Sequence, residues 1–298
     1  MTLDIELENE SLKDLKETLG VLKDYLPGPH NFYFEKERIL LKEIDKSSTL
    51  GFVISLKKEL FKNYKFKLKN PMLTFDVNDF IAVLEKAESK SILKITSDDN
   101  DDKLTITIGQ EGKVKRYRLP FGEAIEDKSE NALGFSIKKL KVSMELAEGT
   151  ISSIFKDLNI GDDIKKFMEI LVTEKSSPDK AEFRLYEKAG SSVGAQLMLN
   201  AKGGLNSLNK LTEDQLGSYD MDYLSKIKKL DTNGSCQFSF TQDNIVRLTF
   251  LRKNIDVIYF QSPVLEAPDE EGEAEGEEED LEEGEAGEQE LETELSEE

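Results

Sequence analysis

The chain has 298 residues, 34% of them charged and 38% apolar, and a formal net charge of −21. That length suggests two domains of ordinary size, and no apolar run approaches the roughly 20 residues that a membrane helix needs. The acidic start MTLDIELENE carries no charged-then-apolar secretion signal, and the single cysteine, Cys236, cannot form an internal disulfide, so the expectation is an intracellular protein with no membrane partner.

The charge is unevenly spread. From Leu265 to Glu298 there are about 19 acidic residues and no Lys or Arg, which leaves the rest of the chain close to neutral. An acidic whole argues against a nucleic-acid partner, whereas a near-neutral body with its lysines sorted onto one surface does not.

Leu3, Ile5 and Leu7 alternate with acidic residues and predict a strand with one buried face. Ser11 opens a helix whose stripe is Leu12, Leu15, Leu19 and Leu22. Asp14, three residues after Ser11, resembles a capping start, and Pro27-Gly28-Pro29 marks the end. Strands follow at Phe32–Phe34, Ile39–Ile44 and Gly51–Leu56, then a basic loop or strand over Phe61–Leu73. A second helix runs from about Val77 to Ala87, with Val77, Phe80, Ile81 and Leu84 on one side. SILKITSDD, DKLTITIG and KVKRYRLPF then read as an antiparallel meander. Phe121–Ser136 has no sustained period and reads as a linker. Beyond it come a strand in IKKLKVSMEL and a helix striped by Ile151, Ile154, Phe155 and Leu158. Strands in FMEILVTE, AEFRLYEK and VGAQLMLN follow, the middle one after a turn at Ser176–Lys180. Asn200–Asp214 is a polar loop, and a last helix, Asp220–Leu230, leads into strands at Cys236–Phe240, Ile245–Leu251 and Ile255–Phe260.

The chain is written twice. FDVNDFIAVLEKAESKSILKITSDDNDDKLTITI from Phe75 repeats as YDMDYLSKIKKLDTNGSCQFSFTQDNIVRLTF from Tyr219. Each copy has an aromatic residue and Asp, a short apolar helix, and two alternating runs joined by a polar turn. A repeat of that size means two similar domains in tandem. The expected fold is α+β: antiparallel sheets with two short helices per domain on one face. The expected boundaries are 1–120 and 137–264 for the domains, 121–136 for the linker, and 265–298 for an acidic tail that reads as disordered.

These residues resemble the sliding DNA clamp family, that is, proliferating cell nuclear antigen (PCNA) and its archaeal relatives. The likeness is carried by YDMDYLSKIKKL, TQDNIVRLTFLRKNIDVIYFQSPVLEA, EIDKSSTLGFVISL and IFKDLNIGD, and it spans Met1 to about Ala267. Two positions depart from the family: Gln261-Ser262-Pro263 replaces its apolar-Ala-Pro, and Ile245 stands where a proline is usual.

The resemblance implies a head-to-tail ring, usually of three subunits and here a homotrimer, around duplex DNA. The expected location is cytoplasm or nucleoid in an archaeon and the nucleus in a eukaryote. Subunits would meet through Lys113, Lys115, Arg116, Tyr117 and Arg118 on one edge strand and Val193, Ala195 and Leu197 on another. An alternative reading of the cationic strand is protection of an edge against aggregation. The helices would present Lys13, Lys16, Lys23, Lys86, Lys156, Lys226, Lys228 and Lys229 to phosphates, contacts that carry no sequence information. The interleaved Asp14, Glu17, Asp24 and Glu85 favour an ordinary solvated face instead. DNA polymerase, clamp loader, nuclease and ligase would dock by short peptide motifs against Ile44, Leu133, Phe135, Ile245, Phe260, Ser262 and Pro263. The alternative for Leu133 and Phe135 is that they pin the linker to the sheet.

No phosphate-binding loop, dinucleotide turn or Cys/His metal spacing is present. The one histidine, His30, reads as a turn residue. The protein is expected not to be an enzyme and to need no cofactor or metal. Two other functions compete with the processivity clamp: a subunit of a heteromeric or checkpoint ring, and an acidic, chaperone-like binder of basic proteins.

Overall fold

The computed structural model describes residues 2–67, 71–98, 102–110, 112–123, 125, 134, 139–158, 167–171, 181–186, 193–210, 218–232 and 234–264. The acidic tail, the Ser176–Lys180 turn and most of the linker, including Leu133 and Phe135, lie outside these residues.

Strand β1 (Thr2–Glu8) passes directly into helix α1 (Asn9–Tyr25). The helix begins before Ser11, with Glu8 at the N-cap and no side-chain capping bond. The expected Ser11–Asp14 start therefore does not form, and Asp14 pairs with Arg252 at 2.9 Å. The leucine stripe is buried as its spacing demands, with Leu19 and Leu22 fully enclosed. The helix stops where Leu26 N–H donates back to Leu22 O at 2.8 Å, just ahead of Pro27.

The first half continues through β2 (Pro29–Phe34), β3 (Arg38–Ile44), β4 (Leu50–Lys57), β5 (Asn63–Phe66) and β6 (Met72–Asp76). It ends with α2 (Val77–Leu84), β7 (Ile92–Asp98), β8 (Lys103–Gln110) and β9 (Lys113–Pro120). The second half repeats the order with β10 (Leu140–Leu146), α3 (Thr150–Leu158), β11 (Phe167–Leu171), β12 (Ala181–Tyr186) and β13 (Val193–Leu199). Then come β14 (Leu205–Lys210), β15 (Ser218–Asp220), α4 (Met221–Ile227), β16 (Gly234–Thr241), β17 (Val246–Arg252) and β18 (Ile255–Gln261). A short 3-10 turn, Lys228–Leu230, extends α4.

The repeated aromatic-Asp pair has a structural reason. Phe75 and Tyr219 are buried in the core. The next residue caps the following helix in each copy: Asp76 Oδ1 accepts from Asn78 N–H at 2.7 Å, and Asp220 Oδ1 from Asp222 N–H at 2.9 Å. Such a cap contributes about 1 kcal/mol. Two elements differ from expectation. The polar stretch after Asn200 contains β14, whose leucines stand three apart and so show no alternation; pairing with β10 decides its conformation. His30 lies in β2, not in a turn.

The strands form three antiparallel sheets. One runs β5-β1-β7-β8-β9, one β13-β12-β11-β15, and the largest β14-β10-β16-β17-β18-β4-β3-β2-β6. The halves are related by this order. The unit β5-β1-β7-β8-β9 matches β14-β10-β16-β17-β18, and β6-β2-β3-β4 matches β15-β11-β12-β13. The nine-stranded sheet joins unlike units from the two halves through one seam, β18–β4, in continuous register from Ile255↔Leu56 to Gln261↔Leu50. At that seam Gly51 lies opposite Phe260. A Cβ at Gly51 would stand 2.4 Å from the Phe260 ring and 2.6 Å from the Glu43 carbonyl oxygen, so only glycine fits.

One apolar core lies between the helices and the inner sheet faces, from Leu3 and Leu19 through Phe52 and Tyr259 to Phe238. A second, smaller cluster of Leu40, Ile44, Val53, Ile245 and Phe260 packs apart from it. No helix of the described residues is long and apolar enough to cross a membrane.

Candidate functional site

The helix layer sorts its lysines into committed and available ones. Lys16 donates to Ala87 O at 2.7 Å, tying α1 to the end of α2. Its burial lowers its pKa, and Glu85 opposes this. Lys229 pairs with Asp24 at 2.7 Å, joining the two halves. Lys226 Nζ lies 5.6 Å from the centre of the Tyr25 ring. Lys13 is well exposed, 3.7 Å from Glu17, and Lys86, Lys156 and Lys228 are exposed while Lys23 is half-buried.

The carboxylates that interleave the α1 lysines are largely accounted for by one residue that sequence reading did not single out. The Arg252 side chain, 2% exposed, reaches from β17 to Asp14 Oδ1 at 2.9 Å and Glu17 Oε2 at 3.1 Å. Its Nη1 also donates to Thr18 Oγ1 at 3.3 Å. Burial pushes the Asp14 carboxyl up, and Arg252 opposes that shift. Nothing in the local pattern at Arg252 marks it, because its carboxylate partners lie more than 230 residues away.

At the Leu50–Gln261 end of the seam is a groove of about 690 Å³ bordered by Thr49, Leu50, Tyr223, Ile245, Ser262 and Pro263. Three of the expected peptide-binding residues, Ile245, Ser262 and Pro263, line it directly. Ile44 and Phe260 belong to the small apolar cluster that Ile245 also joins, together with Leu40 and Val53, which the sequence did not suggest. Leu133 and Phe135 lie outside the described residues.

The groove has a rigid rim. Asp45 Oδ1 accepts from Leu50 N–H at 2.8 Å, while its Oδ2 accepts from the hydroxyls of Thr49 at 2.6 Å and of Ser47. Burial works against the Asp45 carboxylate, but these bonds outweigh it and hold the group below its ordinary range. Within this turn Ser48 adopts φ 58°, and across the groove Asn244 adopts φ 57°. Both are left-handed, a conformation that Asn tolerates better than Ser. The Tyr219 hydroxyl donates to Asn244 O, fixing the second turn to the core.

In β2, His30 Nε2 lies 2.7 Å from Leu26 O and Nδ1 lies 3.2 Å from Glu43 Oε1. Burial disfavours the imidazolium, but Glu43 and the Leu26 carbonyl outweigh it and raise the pKa. Adjacent Asn31 accepts from the Thr74 hydroxyl at 2.6 Å and donates through Nδ2 to Ile125 O at 3.3 Å, and Gly122 N–H donates to Thr74 O at 2.8 Å. The entry to the linker is thereby tied to the sheet.

Strands β9 and β13 lie at the edges of their sheets. Lys113, Lys115, Arg116 and Arg118 are exposed, Val114 is 68% exposed, and Tyr117 packs against the core. Leu197 is half-buried; Val193 and Ala195 are placed by their pairing with β12. Among the described residues no cluster of His, Cys, Asp and Glu could hold a metal ion. Cys236 is enclosed, and burial pushes its thiol pKa well up.

Two similar halves sharing one continuous sheet, with helices collected on one face, define the clamp fold. Residues 2–126 match the family described as proliferating cell nuclear antigen, N-terminal domain. The PCNA structure from Thermococcus kodakaraensis superposes with a TM-score of 0.70 at 18% identity, over 88% of this chain and 100% of that one. A structure of the PCNA2–PCNA3 complex from Sulfolobus tokodaii gives 0.70 at 14% identity, over 87% of this chain and 98% of that one. No protein of curated function matches the sequence. Residues 2–126 are thus similar to the PCNA N-terminal domain, and the chain as a whole has the clamp fold of the archaeal PCNA structures.

Proposed function

We propose that the protein is a sliding clamp: a chain that closes with two others into a ring around duplex DNA and tethers DNA polymerase, clamp loader, nuclease and ligase. The observation that carries this reading is the β18–β4 seam. The strands equivalent to β18 and β4 in the other half are β9 and β13, and both lie at sheet edges. The seam that joins the halves is thus available once more in each direction, and a head-to-tail contact of that kind closes into a ring when its rotation permits. For the inner surface we assign phosphate contact to Lys13, Lys23, Lys86, Lys156, Lys226 and Lys228. Lys16 and Lys229 serve chiefly to hold helices together. For the groove at Ile245, Ser262 and Pro263 we assign short peptides from partner enzymes.

The test is topological. Loaded by its clamp loader, with the other clamp chains of the same cell, the protein should stay on nicked circular DNA through a high-salt gel-filtration column. It should be lost when the circle is cut. Equal retention on circular and linear DNA refutes encirclement. The acidic tail is assigned competition with DNA for basic surfaces. Removing residues 265–298 should raise non-specific DNA affinity at low salt, and an unchanged salt dependence removes that role.

A further inference from the structure

The start of the linker is held by a chain of contacts that runs back to the protein's one histidine. Gly122 N–H donates to Thr74 O at 2.8 Å, and Ile125 O accepts from Asn31 Nδ2 at 3.3 Å. Asn31 is itself fixed from two sides. Its Oδ1 accepts from the Thr74 hydroxyl at 2.6 Å, and its backbone N–H donates to Glu43 Oε1 at 3.3 Å. Strands β2 and β3 pair at Tyr33↔Leu40 and Phe34↔Ile39. Nearer the start of β2, the N–H of Asn31 takes a side-chain carboxylate in place of a strand carbonyl.

The same Glu43 oxygen lies 3.2 Å from His30 Nδ1. His30 is buried between two acceptors, since its Nε2 lies 2.7 Å from Leu26 O at the C-terminal end of α1. A neutral imidazole has one N–H to give. The short Nε2 contact claims it, which leaves a lone pair on Nδ1 facing a carboxylate. The imidazolium has two N–H groups for the two acceptors, and a positive charge at a helix C-terminus is favoured as well. Nδ1 is not aligned for an ordinary hydrogen bond to Glu43, so the attraction between them is a matter of charge. The other acid acting on the ring is Asp76 of β6, whose Oδ1 is engaged by Asn78 N–H. From β3, Lys42 Nζ lies 5.0 Å from the centre of the Tyr33 ring, and Glu123 at the linker entry is exposed.

We propose that Glu43, shared between His30 and Asn31, is a proton-operated latch on the linker entry. With His30 charged, Glu43 Oε1 is held between the imidazolium and the Asn31 N–H, and the Asn31 side chain holds Ile125. Loss of the proton sets a lone pair against the carboxylate. Glu43, whose side chain is 12% exposed, then turns to water, the Asn31 N–H loses its acceptor, and the linker entry loosens. The latch is closed below the His30 pKa and opens as pH rises through it. The linker carries Leu133 and Phe135, so the latch regulates the peptide contact expected of them. That consequence rests on the clamp reading above, whereas the latch itself needs one chain only.

The test is hydrogen exchange on the full chain from pH 6 to pH 9, read by mass spectrometry over residues 121–126. Rates are corrected for the intrinsic effect of pH, and His30 is titrated in parallel by NMR of its imidazole. Protection of the linker entry should fall with the same midpoint as the His30 titration. The fall should reach about tenfold for each unit that the measured pKa stands above the ordinary 6.5. Strands β16 and β17 should keep their protection. Glu43→Gln has no charge for the lone pair to repel and should flatten the dependence. Asn31→Ala should raise exchange at every pH and leave the His30 titration in place. Protection that stays flat across the His30 titration overturns the inference, as does a pH dependence that persists in folded Glu43→Gln. Equal loss of protection in β16 and β17 means global loosening and overturns it too. Each of these results leaves the clamp reading standing, because retention on circular DNA tests that separately.

Discussion

Removing Arg252 should test how the two halves are held. Its guanidinium lies under α1, 2% exposed, with Asp14 and Glu17 as partners at 2.9 and 3.1 Å. Truncating one member of a fully buried ion pair costs roughly 3–5 kcal/mol, because the remaining charge is left unpaired. Here the carboxylates keep 22% and 31% of their exposure, so water recovers part of that loss. We expect Arg252→Ala to cost about 2–3 kcal/mol, including the packing of the arginine methylenes. Arg252→Met keeps most of that packing and should cost about half as much. The assay is urea unfolding followed by far-UV circular dichroism, with a double-mutant cycle against Asp14→Ala. A coupling energy of about 1–2 kcal/mol between positions 252 and 14 is the expected signature of the pair. If both arginine variants lie within ~0.5 kcal/mol of wild type, or the coupling is nil, the pair does not hold α1 to β17 and the reasoning is wrong.

Three further outcomes follow from local geometry. His30 is the chain's one histidine, so its imidazole NMR signals titrate without overlap. A folded pKa raised above the unfolded one means stability that is complete below about pH 6.5 and lost as pH rises through the folded pKa. Glu43→Gln should lower the His30 pKa and flatten that dependence, and a wild-type pKa at or below 6.5 contradicts the Glu43 contact. At Ser48, with φ 58°, Ser48→Gly should leave stability unchanged or raise it slightly, while Ser48→Val should cost about 1–2 kcal/mol. Equal effects of the two substitutions in thermal melts would show that the turn does not hold the left-handed conformation. Gly51→Ala drives a methyl against the Glu43 carbonyl and the Phe260 ring. It should cost about 2–3 kcal/mol and displace Phe260 in the cluster beside the groove, read as weaker binding of a partner peptide by fluorescence anisotropy; full stability and binding would remove that steric argument.

The sequence by itself determined the elements with strong local patterns. The leucine stripe of α1, the apolar face of α2 and the alternation of β8, β16, β17 and β18 all state which side is buried, because a 3.6- or 2-residue period acts within one element. It also determined the duplication and the acidic tail's charge, since both are properties of residue order alone. Where the pattern was weak, tertiary pairing decided: β14 is a strand because β10 lies beside it. The candidate site divides in the same way. Sequence placed Ile245, Ser262 and Pro263 at one surface and cations on β9. It could not show that Arg252 takes up Asp14 and Glu17, that Lys16 and Lys229 are spent on helix contacts, or that Gly51 is a glycine because Phe260 covers it. Each of these depends on two groups far apart in the chain arriving within a few ångströms, and contact energies of that kind leave no periodic trace in the residues that make them.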